Sequence, residues 1–166
     1  MTFADLPIGS VIFLDANTLI YHFTAHPDFG HACSELLDPI ERQEIQAITA
    51  AHLVSEVAHR LITIEACDVF GWPFAGIVRR LRRHWTEVQN LPRFRLAVDE
   101  VRKSRIQVHS VNVDLVAAAT VVSQQFGLLS NDALLVAVMQ HYGLVNLASN
   151  DGDFDRVPWI TRYAPQ

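Results

Sequence analysis

An α/β sandwich around a mainly parallel sheet is the fold class that this 166-residue sequence predicts. Three observations carry it. Short apolar runs with strand character alternate with longer stretches whose apolar residues recur at helical spacing. Half of the chain is apolar and 19% is charged, a composition that buries a core instead of staying disordered. There is no internal repeat, linker or low-complexity tract, so residues 1–166 read as one domain.

Residues 11–14, Val-Ile-Phe-Leu, form a buried strand, followed after Asp15 by a helix through Phe23. The proline-marked stretch 26–30 leads into a second helix near 31–37, and 45–49 is the second strand. Leu53, Val57, Leu61 and Ile64 place one face of a helix over 52–66, which Gly71-Trp72-Pro73 breaks. The arginine-rich segment 74–101 predicts one or two helices with a bend at Leu91-Pro92. Residues 106–111 are the third strand. Asn112 caps the next helix, which carries Leu115, Val116, Ala119 and Val122 and stops at Gly127. Ser130 is placed to cap a helix over 132–142 that Gly143 ends. Residues 144–148 give a fourth strand, and 158–163 an edge strand.

The apolar stretches are too short to span a bilayer, and the N-terminus lacks the basic start and apolar core of a signal peptide. A cytoplasmic protein is expected, with no membrane partner. Cys33 and Cys67 have no metal-site spacing and read as buried thiols. The net charge of −5 hides an uneven distribution. Nine of the thirteen cations lie in 79–105 against Glu87, Asp99 and Glu100, so that window is +6 and the remainder −11. Twelve of the thirteen are arginine, whose planar fork suits phosphate. Arg79, Arg80, Arg82, Arg83, Arg102 and Lys103 are therefore candidates for binding a phosphate backbone; the competing reading is a solvated helix face.

Four acidic residues stand in settings that let them share one site. Asp15 ends the first strand, Glu56 lies in Ser-Glu-Val, Asp132 in Asn-Asp-Ala-Leu, and Asp151 in Ser-Asn-Asp-Gly-Asp-Phe after the fourth strand. In open parallel sheets ligands bind beyond the carboxyl ends of the strands, which is where Asp15 and Asp151 fall. Gathered carboxylates repel one another unless a cation offsets them. Hard oxygen donors of this kind take Mg²⁺ or Mn²⁺, ions that commonly serve phosphate chemistry.

These segments, in this order, resemble the PIN-domain nucleases, and within them the VapC-type toxins of toxin–antitoxin pairs. The resemblance spans residues 10–162. It implies a PIN-like three-layer sandwich and a Mg²⁺- or Mn²⁺-dependent endoribonuclease. Asp15, Glu56, Asp132 and Asp151 would be its catalytic metal ligands, and Asp153 an auxiliary one. Asn17 and Ser149 match the small polar residues that support the site. The resemblance further implies an RNA substrate, a small antitoxin partner and a homodimer. Two alternatives stay open: a stand-alone PIN processing nuclease, and a PIN module that binds RNA or protein with little catalysis. The stretch 68–105 is longer than in compact toxins and forms an arginine-rich helical elaboration.

Each acidic residue has a structural competitor. Asp15 can cap a helix. Glu56 stands four residues before Arg60, a pair worth only about 0.2–0.5 kcal/mol. Asp132 complements a helix dipole, and Asp151, Asp153 and Asp155 are turn residues, with Asp155 expected at the surface. Asp15-Ala16-Asn17 is also similar to the Asp-x-Asp of haloacid-dehalogenase-like phosphotransferases, but Asn17 cannot act as their second aspartate does. His22, His26 and His31 fit no closed zinc site. No Walker loop, Gly-x-Gly-x-x-Gly or Gly-x-Ser-x-Gly segment is present, so nucleotide-cofactor and serine-hydrolase chemistry have no support. Trp72 and Trp85 flank the arginines and read as core or interface residues.

Overall fold

The computed structural model describes all residues from Met1 to Gln166. Five strands form one sheet: β1 (Val11–Leu14), β2 (Gln46–Ala50), β3 (Gln107–His109), β4 (Asn146–Ala148) and β5 (Thr161–Tyr163). Their order is β3-β2-β1-β4-β5, and every pairing is parallel. Parallel strands need crossovers, and the helices supply them. The first two connections carry α1 (Ala16–Phe23), α2 (Gly30–Glu41), α3 (Ala51–Phe70), α4 (Ile77–Arg83), α5 (Trp85–Val88) and α6 (Arg93–Lys103). Between β3 and β4 run α7 (Val113–Phe126) and α8 (Ser130–His141).

The chain moves from β1 to β2 to β3 in one direction across the sheet, then returns from β3 to β4 in the other. Right-handed crossovers consequently put α1–α6 over one face and the α7–α8 pair over the opposite face. Neighbouring β1 and β4 therefore lead into connections on opposite faces, which opens a crevice beyond their carboxyl ends. That crevice is where Asp15 and Asp151 emerge.

Burial follows the strand positions. Ile12, Phe13, Leu14, Leu147 and Ala148 are fully buried, as a strand covered on both faces requires. They belong to a core cluster of 35 buried residues. A second cluster of Ala66, Ile77, Leu81 and Leu91 ties α4 and the following turn to the far half of α3.

Several elements differ from the sequence expectation. The second helix runs on to Glu41 with Pro39 inside its last turns. The third continues to Phe70, where Gly71 takes a left-handed φ of 62° and ends it. The arginine-rich segment forms three helices: the bend at Pro92 is present, and His84 adds a second break between α4 and α5. Ser130 is not the cap of α8. Leu129 is the N-cap, its carbonyl accepting from Ala133 N at 2.8 Å, so the helix begins at Ser130 itself. Asn112 does cap α7, its Oδ1 accepting from Leu115 N at 3.0 Å. Strands β3, β4 and β5 have three residues each, shorter than their apolar runs, because pairing stops where the parallel register ends. No single helix is long and apolar enough to cross a membrane.

Candidate active site

Asp15 begins the site because β1 delivers it. Its backbone N donates to Ala148 O at 3.1 Å, which locks the ends of β1 and β4 together. The side chain is 8% exposed and takes three hydrogen bonds. Ala16 N donates to Oδ1 at 2.6 Å, while Asn17 Nδ2 at 2.6 Å and Ser149 Oγ at 2.7 Å both donate to Oδ2. Asp15 thus does cap α1, and that role coexists with its place in the crevice. Burial pushes its carboxyl up to about 7, opposed by the Ser149 and Ala16 hydrogen bonds and reinforced by the negative charges of Glu56 and Asp132.

Asn17 and Ser149 hold this carboxylate from two sides. Ser149 is fully buried at the end of β4; its Oγ also accepts from Asn17 Nδ2 at 3.1 Å and from Asp151 N at 3.0 Å. Asn17 Oδ1 accepts from Asn150 N at 3.3 Å, so the loop after β4 is stitched to the first turn of α1. Thr18 adds a bond to Ala148 O at 3.0 Å.

Asp132 lies in the first turn of α8, half-buried. Its carboxyl is raised to about 6, first by burial and then by Asp151, Glu56 and Asp153. The negative charge of Glu56 thus reaches both Asp15 and Asp132, and that of Asp151 reaches Asp132. Glu56, one turn into α3, accepts from Asn131 Nδ2 at 3.0 Å, and no ion pair to Arg60 forms. The helix-surface competitor that its spacing suggested is therefore not realised.

Asp151 caps the 3₁₀ turn Gly152–Arg156, its Oδ1 accepting from Asp153 N at 2.8 Å. Asp153 is exposed and held by Arg156, whose Nη2 donates to Oδ1 at 2.7 Å while Nη1 reaches Gly127 O at 3.2 Å. Asp155 faces Arg162 in a two-bond pair, both at 2.8 Å, and stands apart from the cluster. The carboxylates line the crevice without closing into a ligand set, for nowhere do three His, Cys, Asp or Glu side chains converge as a metal site.

The basic candidates divide. Arg79, Arg80, Arg82 and Arg83 are exposed on α4 and form no ion pair; Arg80 lies over Trp72 at 5.5 Å. Trp72 itself is half-buried against Phe70, and Trp85 is 64% exposed. Arg102 pairs with Asp99 at 3.6 Å, and Lys103 ends α6 just before the amino end of β3. Both stand toward the edge of the sheet opposite the crevice.

Sequence reasoning missed Asn131, Arg156, Arg162 and His52. Asn131 and Arg156 orient carboxylates, and Arg162 Nη1 donates to Ser149 O at 3.2 Å. His52 lies one turn before Glu56 with both ring nitrogens buried and unpartnered. The only available signal was adjacency to an acidic motif, which does not separate a supporting residue from an ordinary helix position.

Comparison with known proteins agrees with this architecture. Residues 12–160 match the PIN domain family. Ribonuclease VapC2 of Methanocaldococcus jannaschii is 26% identical over 153 residues, 90% of each chain. Ribonuclease VapC6 of the same organism is 28% identical over 80 residues, 43% of this chain and 52% of that one. The chain thus spans about half the length of that relative (52%). VapBC2 from Rickettsia felis, solved bound to a DNA fragment from their promoter, has a TM-score of 0.59 at 15% identity, covering 94% of this chain and 99% of that one. A toxin–antitoxin complex from Klebsiella pneumoniae gives 0.53 at 18% identity over 90% and 95%. Structural likeness at such identities carries the fold alone. The family match runs from β1 to the approach to β5 and takes in every candidate acidic residue, and the chain belongs to the PIN domain family.

Proposed function

We propose that this protein is a metal-dependent endoribonuclease acting as the toxin of a VapBC-type pair. The observation that supports the reading most is that Glu56 and Asp132 act electrostatically on the buried Asp15 at the end of β1, and Asp151 and Glu56 on Asp132, although the four do not close into a ligand set. The named ribonuclease relatives support the activity, and the likeness to a toxin–antitoxin complex supports a small antitoxin partner. A homodimer and a cytoplasmic location belong to the same reading, which treats residues 1–166 as one domain with a helical elaboration at 68–105.

The donor set fits Mg²⁺ or Mn²⁺. It consists of carboxylate oxygens alone; burial first, and neighbouring carboxylates second, raise Asp15 and Asp132, a cost that a bound cation would relieve. Asp15, Glu56, Asp132 and Asp151 would hold the ion, with Asp153 as an auxiliary ligand that Arg156 must release. A bound ion supplies an acidified water and offsets charge on the departing oxygen. The chain's own contribution is orientation. Ser149 and Asn17 fix the Asp15 carboxylate, and Asn131 holds the Glu56 carboxylate at the start of α8. No Ser, Cys or His nucleophile is required.

Incubating the purified protein and its Asp15→Asn variant with total RNA and defined tRNAs tests the reading, with Mn²⁺, Mg²⁺ or EDTA in parallel. Cutting by the parent chain alone, abolished by EDTA, is expected. A folded Asp15→Asn protein that still cuts as fast would overturn the assignment.

A further inference from the structure

Beside the acidic crevice, on the α3 side, an open hollow of about 460 Å³ is lined by His52, Ser55, Glu56, His59, Arg60 and Asn131, with no hydrophobic residue among them. Glu56 belongs to the acidic cluster, so the hollow is continuous with it. Its cation is Arg60. Glu56 and Arg60 share a face of α3, where an i,i+4 ion pair is the expected arrangement. Instead Glu56 is drawn to Asn131 Nδ2 at 3.0 Å, and the Arg60 guanidinium makes no ion pair and no hydrogen bond to the protein; Thr63 engages only the Arg60 backbone O. An exposed arginine without a partner, about 6 Å along the helix axis from an acidic-site residue, presents its fork to whatever occupies the hollow. His52 adds two buried ring nitrogens that also lack partners.

We propose that this hollow is a phosphate-binding subsite for the nucleotide flanking the cleaved bond. The Arg60 guanidinium grips the phosphodiester oxygens, and Ser55 and His59 supply hydrogen bonds beside it. The inference rests on the ribonuclease reading and deepens it by giving the substrate a path. The strand leaves the acidic crevice along α3 past Arg60, toward the four unpaired arginines of α4, which packs on the far half of that helix. A phosphate here suits the charge pattern: the acidic cluster repels an anion, so the first anchoring cation must lie just outside it, and Arg60 is the cation on the Glu56 helix that meets this requirement.

The test is a binding measurement that needs no turnover. In the Asp15→Asn background with Mg²⁺ present, a fluorescently labelled single-stranded oligoribonucleotide is titrated with the full-length chain over a range of salt concentrations. Arg60→Gln is expected to weaken binding roughly tenfold. The slope of log K against log salt should shrink by about 0.7, the value for one phosphate contact on a single strand. Arg60→Lys should restore the slope and only part of the affinity, since a point charge replaces a fork. Arg42→Gln, an equal change of charge at the amino edge of the sheet, should leave both unchanged. If Arg60→Gln binds as its parent does, with the same slope, the subsite is refuted while metal-dependent cleavage by the wild type stands. If the chain neither cuts nor binds RNA, both readings fall together.

Discussion

Asp15 shows how one side chain serves structure and chemistry at once. Its carboxylate caps α1 and accepts from Ser149 and Asn17, yet burial and two neighbouring carboxylates hold its pKa near 7 in place of the usual 3.8. A raised folded-state pKa means the folded protein binds a proton more tightly than the unfolded chain. This contribution to stability is complete below pH 3.8 and is lost as pH rises toward about 7. The metal-free protein should therefore melt at a lower temperature at pH 8 than at pH 5. Asp15→Asn should flatten that dependence, with a difference on the order of a few kcal/mol at the alkaline end. Divalent ion should raise the wild-type melting temperature at pH 8 and leave the variant nearly unmoved. Calorimetry across pH checks this, and equal slopes for the two proteins would refute it.

At the scale of elements, the elaboration at 68–105 is held by contacts that local sequence does not advertise. Glu65 is buried on α3, and its Oε2 accepts from Arg93 N at 3.0 Å, supplying the first turn of α6 with an acceptor that Pro92, at the N-cap position, does not provide. Arg93 Nη1 also reaches Asp68 at 2.7 Å. Burial raises the Glu65 carboxyl, and the Arg93 amide and guanidinium pull it back. Glu65→Ala removes the acceptor of the partly buried Arg93 N–H and should cost about 1 kcal/mol. In urea this reads as a lower midpoint with an unchanged slope. An unchanged midpoint would mean that α6 is anchored by Ala97 and Val101 alone.

Across the whole molecule, charge is segregated by the fold. The acidic cluster occupies the carboxyl edge of the sheet, and the unpaired arginines of α4 extend from the far end of α3, while Arg93, Arg95 and Arg102 are taken up by Glu65, Asp68 and Asp99. The long-range basic field is thus narrower than the composition of 79–105 suggests, and it centres on α4. Replacing Arg79, Arg80, Arg82 and Arg83 with glutamine should lower the salt slope of RNA binding by up to about 0.7 for each phosphate they contact. The same change at Arg95 and Arg102 should have a smaller effect. Equal effects of the two sets would show that position on the fold is irrelevant to binding.

The sequence by itself determined the α/β class, the strand over Val11–Leu14, the cap at Asn112 and the stop at Gly127, because these rest on hydrophobic period and local backbone chemistry. Its acidic motifs also single out Asp15, Glu56, Asp132 and Asp151. Local signals failed where a distant partner decides the outcome. Ser130 has capping chemistry, yet α8, packed along α7, starts one residue earlier with Leu129 at its N-cap. Arg60 has pairing spacing, yet Asn131, 75 residues from Glu56 in sequence, takes its partner away. The division has a physical reason. Helix and strand periods are fixed within a few residues of chain, whereas a carboxylate's partners and pKa depend on which side chains the sheet order brings within hydrogen-bonding reach.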